Sequence, residues 1–249
     1  MIRRLICLLA CLLPWAVQAT EVDPVPSVMW AFYHKQFLDN APFVFDERVK
    51  LLAPPFAEDA RQVPLEIDAR AFKGRVVRIF AWAELNPLPK IVDFQPKAGV
   101  LPWLALRIRI EQATPLRAAV LTDDGVWHVG STLIDAAGGG CTAPSVVRTQ
   151  PGWEEHIGEV LGGRYPRGEY SRVRVQVAHP MDNGMVSGIP EFYLNHAQLL
   201  GDNGQVMAEL ELFPAVSENP NLAFDIEGAG QTRLVLRDNS GNEFDAAIP

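Results

Sequence analysis

The sequence predicts an all-β protein of two antiparallel β-sandwich domains in tandem, preceded by a short helix. Three observations carry this. Short β-branched and aromatic runs recur along most of the chain, several of them alternating apolar with charged residues. Turn signals such as Asp123-Asp124-Gly125 and Gly201-Asp202-Asn203-Gly204 separate them. A stretch rich in Gly, Ala, Pro and Ser in the middle of the chain divides the strands into two groups.

Residues 1–19 read as a secretory signal. Arg3 and Arg4 are followed by the apolar run Leu5–Leu13 and by Val17-Gln18-Ala19, the small-residue pattern of a cleavage site. The run is about 9 residues, against the ~20 that a spanning helix needs, so the expectation is an exported, periplasmic protein that does not span the membrane. Residues 20–47 form a leader. Within it Ser27–Asp39 carries Met29, Trp30, Phe32, Tyr33, Phe37 and Leu38, compatible with a short amphipathic helix.

Residues 48–137 read as the first sandwich. Leu106, Ile108 and Ile110 alternate with Arg107 and Arg109, the period of a half-buried strand. Residues 138–171 read as a glycine-rich arm and interdomain linker, with a possible short helix at Trp153–Leu161 and then a Gly/Arg/Pro-rich loop. Residues 172–249 read as the second sandwich, opening with Val173, Val175 and Val177 alternating with Arg172, Arg174 and Gln176.

Charge and cysteine usage narrow the function. The full chain has 22 basic and 30 acidic residues, and loss of the signal removes two arginines and no acid. So acidic a chain is a poor binder of nucleic acid, which needs a basic surface. Of three cysteines, Cys7 and Cys11 lie in the signal, which leaves Cys141 without an internal disulfide partner. It follows Gly138-Gly139-Gly140 and precedes Thr142-Ala143-Pro144. That context argues for an exposed thiol on a mobile arm, able to reach a partner's active site. The five histidines are scattered and form no metal-ligand spacing, and there is no C-x-x-C, nucleophile elbow or phosphate loop. No metal, cofactor or catalytic residue is expected, and the protein is read as a non-enzyme.

Two motifs remain, His179-Pro180-Met181-Asp182-Asn183-Gly184 and Pro214-Ala215-Val216-Ser217-Glu218-Asn219-Pro220. Taken as residues alone, each is a turn or a proline-bounded loop. Together with Asp46–Leu51, Ala53-Pro54, Val63-Pro64, Asn86-Pro87, Arg107-Ile108-Arg109 and the Gly-Gly-Gly-Cys arm, they resemble the sulfur-oxidation carriers SoxY and SoxZ joined head to tail, over residues 39–249. The resemblance implies immunoglobulin-like sandwiches and sulfur intermediates held covalently on Cys141, with Gly138, Gly139 and Gly140 as the arm. It implies partners among periplasmic sulfur-oxidation enzymes. It makes His179, Pro180, Met181, Asn219 and Pro220 the candidate partner or domain contacts. Fused proteins of this kind also resemble components of quinoprotein (pyrroloquinoline quinone) alcohol dehydrogenase systems. That implies an alternative role as a non-covalent docking protein for such a dehydrogenase and its cytochrome.

Overall fold

The computed structural model describes residues 22–228 and 230–249. The signal read at residues 1–19 lies outside them. Among the described residues no helix is long and apolar enough to cross a membrane.

Among the described residues one α-helix and sixteen strands follow each other. Helix α1 is Trp30–Leu38. The first nine strands are β1 (Phe43–Phe45), β2 (Lys50–Leu52), β3 (Phe56–Ala57), β4 (Val63–Asp68), β5 (Val76–Ala83), β6 (Lys90–Pro96), β7 (Val100–Ile108), β8 (Thr114–Thr122) and β9 (Trp127–Ala136). After an irregular stretch come β10 (Val160–Arg167), β11 (Tyr170–Val177), β12 (Leu194–Leu200), β13 (Val206–Leu212), β14 (Asn221–Glu227), β15 (Thr232–Asp238) and β16 (Glu243–Ile248). The turn signals fall where expected: Asp123–Gly125 joins β8 to β9, and Gly201–Gly204 joins β12 to β13.

The fold is an all-β sandwich, and its two halves are not separate. One sheet runs β1-β9-β8-β5-β6-β13-β12-β15-β16, with β3 also on β9, and the other runs β10-β11-β14-β7-β4-β2. Each therefore crosses from the N-terminal to the C-terminal half through one antiparallel seam. In the first, β6 pairs with β13, Phe94 opposite Leu210. In the second, β7 pairs with β14, Leu104 opposite Phe224. One apolar core lies between the sheets along the whole molecule, from Ile67, Ile79 and Leu104 to Phe224, Leu234 and Leu236. Burial of this kind stabilises by roughly 25 cal/mol per Å² of apolar surface. Splitting the molecule at the seams would expose the middle of that core.

Strand β5 shows how sequence and position agree. Its run Val76-Val77-Arg78-Ile79-Phe80-Ala81-Trp82-Ala83 is almost continuously apolar because both of its faces are covered. Ile79, Ala81 and Ala83 face the main core. Phe80 and Trp82 face outward into a second cluster under α1, with Tyr33, Leu38 and Trp127. There Trp30 stacks on Trp82 with centroids 6.2 Å apart. The helix starts three residues later than Ser27 and ends where Asp39 and Asn40 take left-handed backbone angles.

A buried guanidinium ties the leader down. Arg117, fully buried on β8, donates to Glu84 Oε1 at 2.8 Å, to both carboxylate oxygens of Asp23 at 2.6 and 2.8 Å, and to the Val25 carbonyl at 2.6 Å. A buried charge is tolerable when it is paired and its donors are used, as here.

The linker read at 138–171 is shorter than expected. Val160–Arg167, read as the end of a short helix and then a loop rich in Gly, Arg and Pro, form β10. They do so because β11 supplies a full antiparallel register, Gly162 opposite Val175. A Cβ at Gly162 would strike the Arg174 carbonyl, so that glycine serves close strand approach. The helix read at Trp153–Leu161 is a single 3₁₀ turn, Trp153–His156.

Candidate functional site

Cys141 lies just past β9, where the N-terminal half ends. It is fully buried, against the expectation of an exposed thiol. The physical reason is a close fit on three sides.

The first side is the glycine run itself. Gly138 and Gly139 take φ of 102° and 81°, angles that a residue with a Cβ adopts at a cost. A Cβ at Gly140 would run into the carbonyl oxygens of Ile110 and Ala60. These glycines permit a tight turn and a close approach. In this arrangement they do not make a free arm.

The second side is Glu111. Its carboxylate accepts backbone N–H bonds from Gly139 at 3.1 Å, Cys141 at 2.8 Å and Thr142 at 3.3 Å, and the Thr142 hydroxyl at 3.1 Å. Burial alone would raise this carboxyl. The N–H groups of Cys141, Gly139 and Thr142 outweigh it and hold the group below its ordinary range. Glu111 is placed in turn by Asn86, whose Oδ1 accepts the Glu111 N–H at 2.9 Å while its Nδ2 donates to the Arg109 carbonyl at 2.7 Å.

The third side belongs to the C-terminal half. Asn183 Nδ2 donates to the Cys141 carbonyl at 2.7 Å. Arg109, itself buried, donates to the Pro180 carbonyl at 3.3 Å, and its N–H reaches the Ala215 carbonyl at 2.8 Å. Further along, Glu218 accepts from the Ser145 hydroxyl and from Val146 N–H at 2.7 Å. Arg148 pairs with Asp182 at 2.6 Å.

The thiol is electrostatically quiet in this setting. Burial, then the Glu111 carboxylate, push the Cys141 thiol up to about 12, and the Arg109 guanidinium offsets part of this. Its sulfur lies 4.0 Å from the Arg109 carbonyl oxygen. Among the described residues no histidine hydrogen-bonds it. The thiolate is the nucleophilic form, and burial and the Glu111 carboxylate both disfavour it here.

The other predicted positions are brought together but not presented. His179, Pro180, Met181 and Pro220 are buried, and Asn219 is half-buried. They make contacts inside the chain: His179 N–H donates to Asn219 Oδ1 at 3.1 Å, Asn219 N–H to the His179 carbonyl at 2.8 Å, and Val177 N–H to the Pro220 carbonyl at 3.0 Å. Burial depresses the His179 imidazole to about 4, although Asp238 lies 3.9 Å away. Sequence reasoning gave no role to Glu111, Asn183 or Asp182. Asn183 and Asp182 stood inside a motif already noticed. Glu111 carried no local signal, because its partners lie about thirty residues on.

Two family models match the chain, that of the sulfur oxidation protein SoxY over residues 34–141 and that of the sulphur oxidation protein SoxZ over residues 163–249. The first match ends on Cys141. Among solved structures, the sulfur carrier protein SoxY from Chlorobium limicola f thiosulfatophilum is similar at 19% identity, over 43% of this chain and 93% of that one, with a TM-score of 0.36. A search of curated proteins found no match.

Proposed function

Because this chain belongs to the SoxYZ-like proteins, a SoxY domain fused ahead of a SoxZ domain, we propose that it is a carrier in sulfur oxidation with Cys141 as its attachment point. The observation that carries the reading is the placement of Cys141. The one cysteine of the described residues closes the SoxY unit, follows three glycines, and is held chiefly through one carboxylate, Glu111. The described state is then the parked form. Release of Gly139, Cys141 and Thr142 from Glu111 would expose the thiol and remove both causes of its raised pKa.

Loading follows from the chemistry of a thiol. Cys141 gives up its proton and forms an S–S bond to a sulfur atom of the cargo, and the two electrons set free pass to a partner enzyme, which supplies the oxidant. Later steps are the partners' work, done while the cargo stays attached. The signal pattern, with Arg3, Arg4, the Leu5–Leu13 run and Val17-Gln18-Ala19, supports carriage in the periplasm.

The test is intact-mass measurement of protein purified from periplasm without reductant, then with it. A reducible adduct on Cys141 supports carriage. A Cys141→Ser variant that sustains growth on the sulfur substrate as well as the native protein would overturn it.

The burial of Cys141 favours a second reading, in which the protein docks non-covalently to a quinoprotein dehydrogenase and its cytochrome. Recovery of such a dehydrogenase on the protein, unaffected by Cys141→Ser, would support that reading over carriage.

A further inference from the structure

The outward face of the smaller sheet carries a groove of about 640 Å³ that straddles the seam between the two halves. Its floor follows from register. Leu52 on β2 lies opposite Glu66 on β4, Glu66 opposite Ala105 on β7, Ala105 opposite Ala223 on β14, and Ala223 opposite Arg174 on β11. At ~4.8 Å per strand this row is roughly 19 Å across. Two alanines side by side at the seam make a trough between longer neighbours.

The walls are cationic. Arg107, one row along on β7, and Arg174 are both exposed and line the groove. Among the described residues no hydrogen bond or ion pair occupies either guanidinium. Arg172 lines it too, lying 3.6 Å over the Trp103 ring, but its charge is taken by the buried Asp225, which also pairs with Arg70. Glu66 is the carboxylate of the lining, and one of its oxygens accepts the Trp103 indole N–H at 2.9 Å. Two arginines thus remain unneutralised on a chain whose net charge is −8.

We propose that this trough docks an acidic, extended segment of a partner protein, laid across the seam. The Cα atoms of Arg107 and Arg174 are about 12 Å apart from strand spacing and rise, and an extended peptide advances ~3.3 Å per residue. Carboxylates two to four residues apart on such a segment meet one guanidinium each, as charge-assisted bonds. Small side chains between them rest on Ala105 and Ala223. The acidic remainder of the surface repels an anionic segment and steers it to this patch. The proposal does not depend on covalent carriage by Cys141.

The probe is a fluorescein-labelled octapeptide of alternating aspartate and alanine, followed by fluorescence anisotropy with the full-length mature protein. Binding is expected, with affinity falling as salt rises. Arg107→Gln with Arg174→Gln should weaken it by about tenfold or more, the equivalent of ~1.4 kcal/mol. Ala223→Leu, which leaves every charge in place and fills the floor, should weaken it comparably, and circular dichroism confirms that each variant is folded. Absence of binding overturns the proposal, as does equal binding by a lysine–alanine peptide. Binding indifferent to these variants also overturns it. Inorganic sulfate that binds as tightly as the peptide and displaces it makes the trough a small-oxyanion site instead. A dimer by light scattering that Arg174→Gln dissolves makes the occupant a second copy.

Discussion

Glu111 accepts the backbone N–H of Cys141 at 2.8 Å, across thirty residues of chain. The same carboxylate holds Gly139 and Thr142, so one side chain ties three residues of the thiol segment.

Replacing Glu111 with Gln keeps the shape and removes the charge. The amide also turns a donor toward N–H groups that need an acceptor. Each charge-assisted bond contributes about 1.5–3 kcal/mol, so Glu111→Gln should raise the rate of Cys141 modification by a disulfide reagent about ten- to a hundredfold. Thiol kinetics at neutral pH check this. An unchanged rate would mean that other contacts hold the segment.

The pH profile of that reaction is set by the thiol itself. A thiol whose folded-state pKa is raised to about 12 stabilises the closed form fully below the ordinary free-thiol value, and this contribution is lost as pH rises through about 12. Alkylation of native protein should therefore lag the denatured control, which turns on near ~8.5. Glu111 acts at the other end. Its depressed carboxyl keeps the latch ionised at and above the ordinary carboxylate range, and the latch weakens as pH falls below it.

His179 makes the fold sensitive to mild acid. Its imidazole is depressed to about 4, so its contribution is present above the unfolded value of ~6.5 and is lost as pH falls through about 4. Unfolding free energies from urea titrations between pH 7 and pH 4 should show a decline on the order of 3 kcal/mol that His179→Gln largely removes.

Arg117→Met should lower stability by about 3–5 kcal/mol, because it strands the buried Glu84 carboxylate without a partner. Thermal melts check this, and adding Glu84→Gln should recover part of the loss.

What the sequence disclosed and what it concealed divide along the range of the interactions. Val173, Val175 and Val177 alternate with Arg172, Arg174 and Gln176 because one face meets the core, and a local pattern records that. Arg107 and Arg109 show the same pattern, yet Arg109 is buried, because the C-terminal half covers it through Pro180. A glycine run reads identically whether it serves mobility, positive φ or close approach. Gly138 and Gly139 serve the second and Gly140 the third, and nothing within a few residues of them reveals Glu111. The acidic residue that shapes the site and the seams that merge the two sandwiches are both long-range facts.

A nick in the exposed stretch around Glu154 and Glu155 should leave the two fragments together on size exclusion, separating only in denaturant. Fragments that part in buffer would show that the seams at β6–β13 and β7–β14 are weak.

The roof over Cys141 comes from Asn183 and Pro180, on the far side of that connection. In two separate subunits such a roof would lift on dilution, and the sulfur's protection would depend on how much of each subunit was present. A covalent tether makes closure a first-order event at a fixed local concentration, on the order of millimolar for a short linker. The thiol here is thus shielded equally in a crowded compartment and in a single isolated molecule, and its exposure answers to whatever pulls on the segment rather than to supply of a partner chain.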